Sequence, residues 1–144
     1  MEYTEFDDTY VVRLDRGEEI ISSLKEFCQK EKISLASVDG LGATDHLEIC
    51  LYDVVNKVFH RHTFEEPMEI TSLHGNISTM CGETYLHIHI NAADSELNVH
   101  GGHLSACRIS ATGELFIRKI EGRVERRKDE VTGLNLYYFN QEEL

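Results

Sequence analysis

Three histidines stand where strand geometry would gather them. His87 and His89 flank Ile88 in the run Thr84-Tyr85-Leu86-His87-Ile88-His89-Ile90-Asn91, and His103 follows Gly101-Gly102. In an extended segment alternate side chains share a face, so His87 and His89 point together while Leu86, Ile88 and Ile90 point into a core. The paired glycines predict a tight bend and a close backbone approach that brings His103 to the other two. Three neutral imidazoles suit zinc first, with nickel, cobalt, copper or iron as alternatives. Three protein ligands leave a fourth position open, the pattern of catalytic rather than structural zinc, where bound water is acidified and a carbonyl oxygen polarised. His-x-His alone is a weak motif, and its bland reading is a polar sheet face. The Gly-Gly-His return some dozen residues on is what favours a divalent metal held by His87, His89 and His103.

His100, three residues before His103, is the alternative third ligand; the glycine argument favours His103. His46, His60, His62 and His74 read as solvated or hydrogen-bonded histidines on strands and turns. The chain has no Gly-x-Ser-x-Gly, no reactive cysteine context and no diagnostic acid pair. Glu69 and Glu83 flank the strands next to the proposed site, but among 26 acidic residues neither stands out. No residue is assigned a catalytic role, and whether the protein is an enzyme stays open.

The elements that must position these groups can be read in order. Tyr10 to Leu14 predicts a strand, and Asp15-Arg16-Gly17 a turn. Glu18 to Lys32 repeats Ile20, Ile21, Leu24, Phe27 and Cys28 at helical spacing, with acids at its start and lysines near its end. A strand from Ile33 to Val38 ends at Asp39-Gly40-Leu41-Gly42-Ala43, a tight turn or a close backbone contact rather than a phosphate loop, since no Gly-x-Gly-x-x-Gly or Gly-Lys-Ser/Thr occurs. Strands follow at Leu47 to Asp53, Val58 to Phe64, Glu69 to Ser78, the histidine run, Leu104 to Ile109 and Glu114 to Glu125. Gly133 punctuates a basic hairpin before Leu134 to Phe139, whose Leu136, Tyr137, Tyr138 and Phe139 need cover from a partner or the sheet edge. The expected fold is α+β: a mostly antiparallel curved sheet or part-barrel with one principal helix at about residues 18–32. A single domain is expected over 1–144, with a core at about 10–126 and a C-terminal hairpin and tail at 127–144.

The chain has 144 residues, 41% hydrophobic and 28% charged, and a net charge of −12. That charge opposes binding to a phosphate backbone. The exception is residues 118–128, where Arg118, Lys119, Arg123, Arg126, Arg127 and Lys128 stand against Glu121 and Glu125, a local +4 in a remainder of −16. The acidic start lacks a secretory pattern and no apolar run approaches the roughly 20 residues a membrane helix needs, so a cytoplasmic protein is expected. Cys28, Cys50, Cys81 and Cys107 form no Cys-x-x-Cys pair and read as buried small hydrophobes, Cys81 least securely because it adjoins a turn.

The order of these features resembles the plants and prokaryotes conserved (PPC) domain, from about Tyr10 to Arg126. The resemblance is carried by Gly40-Leu41-Gly42-Ala43, by Leu47-Glu48-Ile49 with Tyr52-Asp53, by Glu69 to Ile77, and above all by Leu86-His87-Ile88-His89 with Gly101-Gly102-His103-Leu104. It implies an α/β or α+β domain assembled as a homotrimer, with His87, His89 and His103 holding zinc, and a position for His100 at which the family pattern does not require histidine. The fold it implies is also similar to a domain of acetolactate decarboxylase, a three-histidine metal enzyme, so metal-dependent lyase-like or hydrolytic chemistry on a small ligand follows by fold analogy alone. Stand-alone prokaryotic members are often labelled DNA-binding. Plant relatives contact DNA through a separate AT-hook, and neither Arg16-Gly17-Glu18 nor Gly122-Arg123-Val124 has the paired arginines and proline of one. DNA binding through residues 118–128, or a trimeric scaffold without catalysis, remain the alternative functions.

Overall fold

A computed structural model describes residues 1–139 and places one helix on a nine-stranded sheet. The last five residues of the expected tail, 140–144, lie outside the described residues. The strands are β1 (Glu2–Phe6), β2 (Thr9–Asp15), β3 (Ala36–Asp53), β4 (Val58–Phe64), β5 (Met68–Met80), β6 (Glu83–Ala93), β7 (Val99–Lys119), β8 (Glu125–Lys128) and β9 (Asn135–Tyr138). Helix α1 runs from Ile20 to Lys30. It begins two residues after the expected start because Glu19 caps it, its carboxylate accepting from the Ile21 and Ser22 N–H groups. The cap also accepts from the Cys107 N–H, tying the helix start to β7. The face carrying Ile20, Leu24, Phe27 and Cys28 is buried, as its spacing requires.

The sheet runs β1-β2-β7-β3-β5-β8-β9, with β4 on β3 and β6 on both β5 and β7. All pairings are antiparallel except the single Thr79–Glu125 contact between β5 and β8. The sheet is therefore curved and mixed, with free edges, and is not a barrel. Its curl is local: β3, β5, β6 and β7 pair in a cycle at the end where the histidines lie. Alternation supplies the core, with Tyr10, Val12 and Leu14 buried on β2 and Val11 and Arg13 outside. Phe27 meets Tyr3 and Tyr10 edge-on at centroid distances of 4.9 and 5.1 Å. Through Tyr3 the core reaches β1, earlier than the expected boundary at residue 10.

Two expected pairs of strands are each one long strand. Asp39 to Ala43 does not turn but continues β3, and a Cβ on Gly40 would lie 2.8 Å from the Glu114 carbonyl oxygen of β7. Close backbone approach, not reversal, is what these glycines serve. Leu104–Ile109 and Glu114–Lys119 likewise form one strand, β7, whose register against β3 slips near Thr44.

Candidate metal centre

On β6, Ile88 and Ile90 are buried while His87 and His89 face outward. The register then supplies their neighbours: His87 lies opposite Asn76 of β5, and His89 lies between His74 of β5 and His103 of β7. Residues paired across strands share a face, so His103 joins the other two through the end of the β6–β7 ladder. The three ring centroids are 5.2, 5.5 and 5.6 Å apart. One nitrogen from each ring lies within 4.8 Å of the others.

Gly101 and Gly102 serve differently from expectation. Neither has positive φ and both lie within β7, so there is no bend. A Cβ on Gly102 would stand 2.9 Å from the Cys50 carbonyl oxygen, so the residue lets β7 approach β3 immediately before His103.

The donor set fits a borderline divalent ion. Nitrogens bound tetrahedrally to zinc at 2.0–2.1 Å are about 3.4 Å apart, so the rings need close in by at most about 1.4 Å. Burial pushes His87 down to about 4, and the Arg126 guanidinium and the other two imidazoles push the same way. Burial, then His89, also lowers His103. At neutral pH both rings are uncharged and present lone pairs.

The remaining histidines stand apart from this group. His100 bonds through Nε2 to Asp94 at 2.8 Å and lies against Phe64, so it neither replaces nor assists His103 as a ring of the cluster. His46 pairs with Glu65 and His74 with Asp39; His60 and His62 lie on the exposed strand β4. Phe59 of β4 lies 5.7 Å from the His103 ring.

Arg126 is the neighbour that sequence reading missed. It is buried, with Nε donating to Ser78 Oγ, Nη2 to Asn76 Oδ1 and Nη1 to the Asn135 carbonyl, each at 2.8 Å. Four of the other five cations are engaged too, leaving Lys128 exposed: Arg118 with Asp8, Lys119 with Glu121, Arg123 with Glu125, and Arg127 over the Tyr138 ring.

A curved, mostly antiparallel sheet with a single covering helix and three converging imidazoles defines a class of small β-rich domains with a histidine cluster on the outer sheet face. The chain belongs to the Plants and Prokaryotes Conserved (PCC) domain family, whose model matches residues 1–121. It is similar to a presumed DNA-binding protein from Bacteroides thetaiotaomicron, at 33% identity and a TM-score of 0.93 over 96% of each chain. A metal-containing protein from Archaeoglobus fulgidus shares 32% identity and a TM-score of 0.86, over 96% of this chain and all of that one. Acetolactate decarboxylase from Bacillus subtilis subspecies spizizenii, at 16% identity and a TM-score of 0.54, shares the fold over 81% of this chain and 54% of its own. Among curated proteins, the bifunctional protein GlmU of a Synechococcus strain is 27% identical over 127 residues, 86% of this chain; the chain spans 19% of its length.

Proposed function

We propose that the protein is a metal-binding PPC domain in which His87, His89 and His103 hold one divalent ion, zinc first, with a coordination position left for a small oxygen-rich ligand. The observation that carries this is the convergence of three rings, two of them uncharged at neutral pH, from adjacent strands. The metal-containing A. fulgidus relative supports it. When bound, the ion would supply Lewis acidity to water or a carbonyl oxygen. The chain's part is to hold the imidazoles neutral and aligned: the β6 backbone fixes His87 and His89 on one face, and the β7 ladder fixes His103 beside them.

Metal analysis of tag-free protein tests this. About one equivalent per chain is expected, and less than a tenth of an equivalent with no zinc uptake would end it. His89→Ala should lose the metal while the sheet stays folded, because His89 is exposed and contributes little to the core.

A homotrimer fits the exposed apolar residues beside the site, Leu51 (70% exposed), Val58 and Phe59, which a second copy would cover. Light scattering at a mass near three chains would support it. A cytoplasmic location is part of the proposal, since the four free cysteines would stay reduced there; no helix among the described residues is long and apolar enough to cross a membrane. DNA binding is the second reading, favoured by the description of the B. thetaiotaomicron relative. The engaged basic cluster and net charge of −12 oppose it, and a shift assay without binding at low salt would end it.

A further inference from the structure

We propose that Arg126 makes the open position of the three-histidine site selective for small carboxylates, acting through its charge and not by touching the ligand. This inference rests on the metal reading above and names the ligand class that site takes.

The guanidinium is only 6% exposed, and its polar partners are a hydroxyl, a side-chain amide and a backbone carbonyl, all neutral. The Tyr85 and Tyr137 rings lie 4.8 and 4.1 Å from Cζ. No carboxylate among the described residues comes within 4.0 Å of it. Arginine does not deprotonate, so a full positive charge stays buried without a counter-charge among the described residues. Neutral hydrogen bonds and cation–π contacts offset part of the desolvation cost, which for a buried ion is large.

Its position gives that charge a target. Ser78 lies opposite Tyr85, Asn76 opposite His87, and His74 opposite His89, so three cross-strand rows succeed one another on the outer face of β5 and β6. Arg126 is bonded to residues of the first two rows, and the metal ligands begin in the second. Its Nη2 holds the side chain of Asn76, the direct cross-strand partner of His87 and one row from His89. Of the acids on surrounding strands, Asp39 pairs with His74, Glu48 with Arg61 and Glu125 with Arg123, whereas Glu69 of β5 and Glu83 of β6 are exposed and without an ion pair among the described residues.

A divalent ion on three neutral imidazoles beside this fixed charge makes a local excess of +3. An anion at the open position relieves it, whereas a neutral ligand of the same shape does not. Removing the arginine charge should therefore move two affinities in opposite directions. The metal should bind as well or better, since a repulsion is lost, while the carboxylate should bind less well. Loss of a merely structural residue would weaken both.

The probe is Co(II)-loaded protein, titrated with acetate and with its neutral isostere acetamide and followed by the cobalt absorption bands. Arg126→Met should lower acetate affinity about tenfold relative to acetamide while Co(II) affinity holds or rises. Arg126→Lys, which keeps the charge, should stay within about threefold of the parent. If Arg126→Met does not fold, the isosteric Asn76→Asp places a carboxylate against Nη2, neutralises the charge in place, and should give the same loss. Unchanged acetate affinity in the neutralised variants, or an equal loss in Arg126→Lys, overturns the proposal while leaving the metal site intact. Absence of Co(II) uptake by the parent overturns both together.

Discussion

Gly75→Ala tests how the fold positions the site more directly than any histidine substitution. Gly75 lies opposite Ile88, directly beneath the two outward histidines. A Cβ there would stand 2.8 Å from both the Ile88 Cα and its Cγ1, and still closer to the His87 carbonyl oxygen. Two of the three obstacles are backbone, so no rotamer change relieves them; β6 must move by about 1 Å to restore ordinary contact. Overpacking of this kind costs about 1–3 kcal/mol, against which the stiffer unfolded chain returns about 0.5 kcal/mol. A melting temperature roughly 2–8 °C lower is expected for a chain of this size. The displacement falls on the segment carrying His87 and His89, so Co(II) affinity should drop tenfold or more. Gly101→Ala is the control: its Cβ would meet chiefly the end of the Asn91 side chain, which can swing away at the loss of its 2.9 Å bond to Ser72 Oγ. That variant should lose less than about 1 kcal/mol and keep its metal affinity. A Gly75→Ala protein that melts with the parent and binds metal equally would refute the reasoning.

Two other outcomes follow from burial. His87 is held near 4 in the folded chain and sits near 6.5 when unfolded, so the unfolded state takes up the proton first as pH falls. The metal-free protein should keep this stability contribution above about pH 6.5 and lose it progressively toward pH 4. After allowance for partial solvent screening the loss is about 1–2 kcal/mol. Urea midpoints at pH 7 and pH 5 measure it, and His87→Asn should flatten the difference. Among the thiols, Cys81 is exposed and Cys28, Cys50 and Cys107 are buried, with burial pushing Cys28 up to about 12 and Cys107 up to about 11. One fast-reacting thiol per chain is expected with an aromatic disulfide reagent, and the other three only on unfolding; two fast thiols would contradict the packing.

The period-2 pattern around Ile88 was legible because it is local: buried isoleucines dictate which way His87 and His89 point. The helix was legible for the same reason, in the spacing of Ile20, Leu24, Phe27 and Cys28. Strand lengths were not, because Gly40 and Gly42 look like turn residues when what they answer is the backbone of a strand distant in sequence. β1 escaped notice because only Tyr3 of its five residues is even partly buried. The barrel alternative failed on the strand ends, since hydrophobic periodicity carries no information on whether a curved sheet closes. Arg126 was hidden in a basic run that local charge reads as solvated. Its burial depends on Asn76, Ser78, Tyr85 and Tyr137, drawn from three other strands.

That burial changes what the charge distribution means. A surface carrying −12 repels a long polyanion at every approach, and the six cations of residues 118–128 are mostly paired, stacked or buried, so they offer little against that repulsion. A single carboxylate faces a different balance. Repulsion between exposed charges is screened within about 8–10 Å at physiological salt, whereas a buried guanidinium beside a metal ion is screened far less. Raising ionic strength should therefore leave acetate binding to the metal-loaded protein nearly unchanged, while any residual binding to DNA would collapse, and the two readings proposed for this protein can be told apart by salt alone.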